Sequence, residues 1–125
     1  VKLLLDTPIF LWLNADDPKL TKKARKLIDE AQEVFVSSVV FWELAIKISR
    51  GDLTADLEEL RSALYNNAFT ILPITVEHAC ASATLPWHHK DPFDRMLVAQ
   101  AITEPLRLMT ADHQLEPYSD LIIRV

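Results

Sequence analysis

Apolar residues along this chain recur in two alternating rhythms. Short β-prone runs occupy residues 2–5, 34–37, 70–74, 106–109 and 121–125, and their length and aliphatic content suit buried strands. Between them the spacing changes to that of helices. Thr7 and Pro8 stand as N-cap and first helical residue before an apolar segment at 9–13, where a side-chain acceptor and a fixed φ are favoured. Thr21 is expected to cap a helix with one apolar stripe, Ala24, Leu27, Ile28 and Ala31, and with Lys22, Lys23, Arg25 and Lys26 mostly on the wet side. Leu53, Leu57, Leu60 and Leu64 form a second stripe. Thr75 is expected to cap a further helix that buries Val76, Ala79, Cys80 and Ala83. Residues 39–49 are apolar around most of a helix, and Glu43, Lys47 and Arg50 make its only polar stripe.

Strand and helix alternating in this order predict an α/β fold, a mainly parallel central sheet of about five strands with helices on both faces. Ligands of such sheets bind beyond the carboxyl ends of the strands. Asp6 and Asp112 follow two of the expected strands, whereas Glu43 and Asp94 lie on apolar helices.

Composition bounds the function without choosing it. The 125 residues are expected to form one domain, residues 1–125, with half of them hydrophobic and a quarter charged. The lone Cys80 excludes an internal disulfide and a Cys-rich zinc site, in keeping with a reducing compartment. No apolar run reaches membrane-span length and no signal-like segment opens the chain, so a cytoplasmic location and no membrane partner are expected. A net charge of −5 ordinarily disfavours nucleic acid, yet a cation held by clustered carboxylates would account for much of that excess. The single glycine, Gly51, excludes a Gly-rich phosphate loop. His88 and His89 are adjacent and distant from His78 and His113, a spacing that suits solvent or substrate contact rather than zinc. Trp12, Trp42 and Trp87 read as core or interface residues.

Hard cations such as Mg²⁺ and Mn²⁺ prefer oxygen ligands, and crowded carboxylates are hard to keep ionised without one. Each acid has a plainer reading as well. Asp6 can accept from the free amides of the helix near Pro8, and Glu43 can belong to a solvated face with Lys47. In Asp91-Pro92-Phe93-Asp94 capping falls mainly to Asp91, leaving Asp94 the better ligand. Asp112 can simply end a strand in a turn. Four acids at successive strand–helix junctions carry more weight than any one.

Leu3-Leu4-Leu5-Asp6-Thr7, Phe41-Trp42-Glu43-Leu44-Ala45-Ile46-Lys47, Leu85-Pro86 through His89, Asp91-Pro92-Phe93-Asp94-Arg95, Ala99-Gln100-Ala101 and Thr110-Ala111-Asp112 together resemble the PIN-domain ribonucleases. The similarity is to the VapC toxins of bacterial toxin–antitoxin pairs, and it runs through nearly the whole chain in order. It departs at Pro8, where relatives often carry His, and at Val40, where a Ser is common. The resemblance implies an endoribonuclease in which Asp6, Glu43, Asp94 and Asp112 are the catalytic, metal-binding acids, Thr110 a site-lining hydroxyl and Asp91 an accessory acid. It further implies Mg²⁺ or Mn²⁺ as cofactor, RNA as substrate, a homodimer, and a cognate antitoxin. The leucine stripe at 53–64 and the aromatics around Trp42 are candidate partner surfaces. Lys47, Arg50, His89, Lys90 and Arg95 are candidate RNA contacts. Two alternatives accompany this reading. A PIN-like binding module without catalysis is disfavoured by the retained acids, and a phospho-receiver domain by the lack of an acid pair after the first strand.

Overall fold

The computed structural model describes residues 1–125. The strands are β1 (Lys2–Leu5), β2 (Glu33–Ser37), β3 (Thr70–Leu72), β4 (Arg107–Thr110) and β5 (Ile122–Arg124). They form one sheet of order β3-β2-β1-β4-β5, and every neighbouring pair is parallel. The central strand explains its own sequence: Leu3, Leu4 and Leu5 are all fully buried, because a parallel strand covered on both faces needs a continuous apolar run rather than an alternating one.

Successive side chains of β1 point to opposite faces and feed two cores. Leu3 and Leu5 join Val34, Met109 and Ile9 on one side. Leu4 joins Val36, Leu108, Leu44, Leu97 and Val98 on the other. The helices are α1 (Thr7–Asn14), α2 (Lys22–Glu30), α3 (Ser38–Ser49), α4 (Leu57–Asn66), α5 (Val76–Ser82) and α6 (Pro92–Thr103). Ala24 and Ile28 of α2 close the first core, while α3, α4 and α6 close the second. No helix is long and apolar enough to cross a membrane.

From β1 the chain builds β2 and β3 on one side, then passes back to build β4 and β5 on the other. Connections therefore leave the carboxyl ends of β1 and β4 in opposite directions, which opens a crevice between two adjacent strands. Leu5 is in register with both Val36 and Met109, so Asp6 is the first residue past the sheet at that crevice.

Several local expectations need correction. Asp6, not Thr7, caps α1, its Oδ1 accepting from the Ile9 N–H at 3.1 Å. Leu53 lies outside α4, which Asp56 caps. The face of α5 is reversed: Val76, Ala79, Cys80 and Ala83 are exposed and His78 is fully buried. Thr75 does cap α5, but His78 completes the cap by accepting the Thr75 N–H on Nδ1, and its Nε2 meets the Glu104 carboxylate beyond α6. A histidine satisfied at both nitrogens is easily buried, so the small apolar side chains are left outward. Of the two readings of Trp42 and Trp87, core or interface, exposure removes the core one.

Candidate metal centre

Asp6 reaches the crevice because β1 ends there and α1 begins at once. Its Oδ1 serves the helix cap, and its Oδ2 accepts from the Thr110 hydroxyl at 2.6 Å. Thr110, the last residue of β4, also accepts the Asp112 N–H at 3.0 Å. One buried hydroxyl thus ties together the acids that follow two neighbouring strands.

The helices bring the other two acids. Glu43 stands on the second turn of α3 and is buried; the Thr7 hydroxyl donates to its Oε1 at 2.6 Å and Lys47 to its Oε2 at 2.7 Å. Asp94 lies in the first turn of α6, whose cap is Asp91, accepting from Phe93 N–H at 2.8 Å and Asp94 N–H at 3.1 Å. With its side chain free of capping, Asp94 faces His89, Oδ2 to Nε2 2.9 Å. Asp6, Glu43, Asp94 and Asp112 line one pocket of about 340 Å³ together with Asp91, Lys47, Pro8, Trp12 and Ala111.

Charge accumulates there at a cost. Burial pushes the Asp6 carboxyl up to about 7, against the lowering pull of Thr110 and Ile9, with Asp94 and Glu43 adding repulsion. Burial, then the neighbouring Asp91, pushes Asp94 up to about 6. Lys47 is raised above its ordinary value, chiefly by its hydrogen bond to Glu43. Crowded acids that resist ionisation are relieved by a cation, and carboxylate oxygens are the donors that Mg²⁺ and Mn²⁺ take. The closest set of donors is an oxygen each of Asp94 and Asp112 with a nitrogen of His89, all within 4.8 Å of one another, which suits such an ion, and Asp6 and Glu43 line the same pocket with both oxygens of each engaged in hydrogen bonds.

The candidate RNA contacts divide. Lys47 stands half-exposed at the pocket, Lys90 is exposed, and exposed Arg50 pairs with Asp52 at 3.5 Å. Arg95 must be corrected: it is buried, and its guanidinium donates to the carbonyls of Pro86, Ser82 and Leu85 and to the Tyr118 hydroxyl. The face of Trp87 covers it at 3.7 Å. A guanidinium spent on three carbonyls anchors the 82–89 loop rather than a phosphate. Arg95→Ala strands those acceptors and is expected to cost about 3 kcal/mol. A melting temperature lower by roughly 10 °C in calorimetry checks this, and an unchanged value contradicts the anchoring role.

In the sequence Thr7 reads only as a cap, and Tyr118 carries no signal of a role. Nothing local marks either, since Thr7 meets Glu43 and Tyr118 meets His89 only through the fold.

The chain matches the PIN domain over residues 3–121. Ribonuclease VapC22 of Mycobacterium tuberculosis is 29% identical over 119 residues, covering 93% of this chain and 91% of that protein. Among solved structures, VapBC2 from Rickettsia felis, bound to a DNA fragment from its promoter, superposes with a TM-score of 0.72 at 16% identity over 100% of this chain and 98% of its own. FitAcB from Neisseria gonorrhoeae gives 0.70 at 19% identity over 98% and 96%.

Proposed function

The chain belongs to the PIN-domain family, and from that premise we propose that it is a divalent-metal-dependent endoribonuclease, the toxin of a toxin–antitoxin pair, acting in the cytoplasm. The observation that carries the reading is the meeting of Asp6, Glu43, Asp94 and Asp112 from four separate elements in one pocket, with Asp6 and Asp94 both resisting ionisation. The name of the M. tuberculosis relative supports the ribonuclease assignment. A bound Mg²⁺ or Mn²⁺ would polarise phosphate and make a water nucleophilic at neutral pH.

The chain's own residues supply the rest. The four acids would hold the ion, and Thr110 fixes Asp6 Oδ2 and the Asp112 backbone so that neither must reorganise. Thr7 fixes Glu43 in the same way. Lys47, at the pocket mouth, neutralises Glu43 and offers its ammonium to an arriving phosphate. Asp91 holds the start of α6 and so the position of Asp94.

Asp94→Asn tests the assignment, because an amide keeps the volume and loses the charge. RNA cleavage is expected to fall at least about a hundredfold with the melting point unchanged or raised. Undiminished cleavage contradicts the role of Asp94.

Two protein partners follow from the same reading. The groove of about 530 Å³ between α1 and α4 has an apolar floor that includes Leu11, Leu53 and Leu60 and a rim with Asp17, Asp56 and Glu59, which suits a basic, amphipathic antitoxin segment. Three of the similar solved structures are named as toxin–antitoxin or VapBC assemblies. The outward face of α5, with Val76, Ala79, Cys80 and Ala83 exposed, suits a second copy of the chain. Val76→Asp, at a side chain 78% exposed, is expected to convert a dimer to a monomer in sedimentation without lowering the melting point. A monomeric wild type, or a dimeric variant, contradicts that interface.

A further inference from the structure

His89 is held beside the acid pocket, against Asp94 and Asp112, by a loop whose backbone is tied down. The Tyr118 hydroxyl accepts the His89 N–H at 2.9 Å and donates to the His89 carbonyl at 3.3 Å. The same oxygen accepts from Arg95 Nη1 at 3.2 Å, and the His88 ring packs edge-on against Tyr118 with centroids 4.9 Å apart. The loop backbone is therefore fixed by groups outside the pocket, and the imidazole turns from it toward the acids. From there Nε2 lies 2.9 Å from Asp94 Oδ2 and 3.5 Å from Asp112 Oδ2. One nitrogen and one oxygen from each carboxylate all fall within 4.8 Å of one another.

A single N–H can serve one carboxylate well, yet Nε2 faces two from different elements. Ligand atoms at right angles around a cation with bonds of about 2.1 Å stand roughly 3 Å apart, close to both separations. With its proton on Nδ1, a neutral imidazole presents a lone pair at Nε2. Mg²⁺ favours oxygen ligands and retains water, whereas imidazole nitrogen suits first-row transition metals.

We propose that His89 donates Nε2 to the same metal centre and makes it prefer Mn²⁺ over Mg²⁺. The inference rests on the reading that the four acids hold a divalent cation, and it adds a nitrogen donor and a selectivity.

Titration calorimetry with MgCl₂ and with MnCl₂ tests it on the wild type and His89→Gln, alongside pulsed electron paramagnetic resonance of the Mn²⁺-loaded proteins. Gln retains an N–H for Asp94 but has no imidazole nitrogen. The wild type is expected to bind Mn²⁺ about tenfold more tightly than Mg²⁺, and the variant to lose about tenfold for Mn²⁺ while Mg²⁺ affinity stays within about twofold. The wild type is also expected to show ¹⁴N coupling to Mn²⁺ that the variant lacks. Equal losses for both metals, or Mn²⁺ bound to the wild type without ¹⁴N coupling, overturn the proposal and leave the acid site standing. Binding of neither metal to the wild type overturns the acid site and the proposal together. The coupling in the wild type decides the matter even if the variant does not fold.

Discussion

Asp6→Asn is expected to lower RNA cleavage by about three orders of magnitude or more, while the metal-free protein becomes more stable at pH 8. The two effects have one cause. Asn caps a helix as well as Asp does, so the Ile9 N–H keeps its acceptor, and the Thr110 hydroxyl can rotate to accept from the new amide. What disappears is a buried negative charge, which the pocket resists unless a cation is present. A merely structural Asp6 gives the opposite pattern. Its replacement would lower the melting temperature and spare cleavage, so measuring both on one preparation separates a ligand from a cap.

The second large effect is on stability against pH. Asp6 stands at about 7 and Asp94 at about 6 in the folded protein, above their ordinary value of 3.8. Between those limits the folded state binds more protons than the unfolded one, so stability falls as pH rises. The favourable contribution is complete below about pH 4 and is lost as pH climbs through the folded values. For Asp6 alone it is on the order of 4 kcal/mol. The metal-free protein should therefore melt at a lower temperature at pH 8 than at pH 5, and the drop should shrink in Asp6→Asn. Saturating Mg²⁺ or Mn²⁺ should raise the melting point far more at pH 8 than at pH 5, since ligands bind ionised acids. A metal-induced shift that is the same at both values contradicts the coupling.

What the sequence disclosed was largely what neighbouring residues decide. Thr21, Thr75 and Asp91 cap the helices expected of them, because a cap is a bond between residues two or three apart. The order of strands and helices was legible because Leu3-Leu4-Leu5 and the other apolar runs have the lengths that parallel, doubly covered strands require. The convergence of the acids was legible for Asp6 and Asp112, which follow strands. It was less so for Glu43, whose stripe with Lys47 also fits a solvated face and whose burial depends on Thr7, 36 residues earlier.

The errors have equally physical sources. Asp6 and Thr7 are both able to cap, and only the end of β1 decides between them. For α5 the pattern of Val76, Ala79, Cys80 and Ala83 states that one face is apolar but not that it faces the core. His78 takes the inward side because Thr75 and Glu104 satisfy both of its nitrogens. Arg95 looked like a phosphate contact because charge is visible in a sequence and the carbonyls that consume it are not.

The central claim is metal-assisted hydrolysis at the four acids. It is tested most directly by incubating the purified chain with RNA and Mg²⁺ or Mn²⁺, adding a chelator, restoring the metal, and identifying the ends of the products. Cleavage is expected to stop with the chelator, resume with the metal, and leave linear phosphate ends from attack by water. Cleavage that survives exhaustive chelation, or that leaves 2′,3′-cyclic phosphates from attack by the RNA's own hydroxyl, would contradict it.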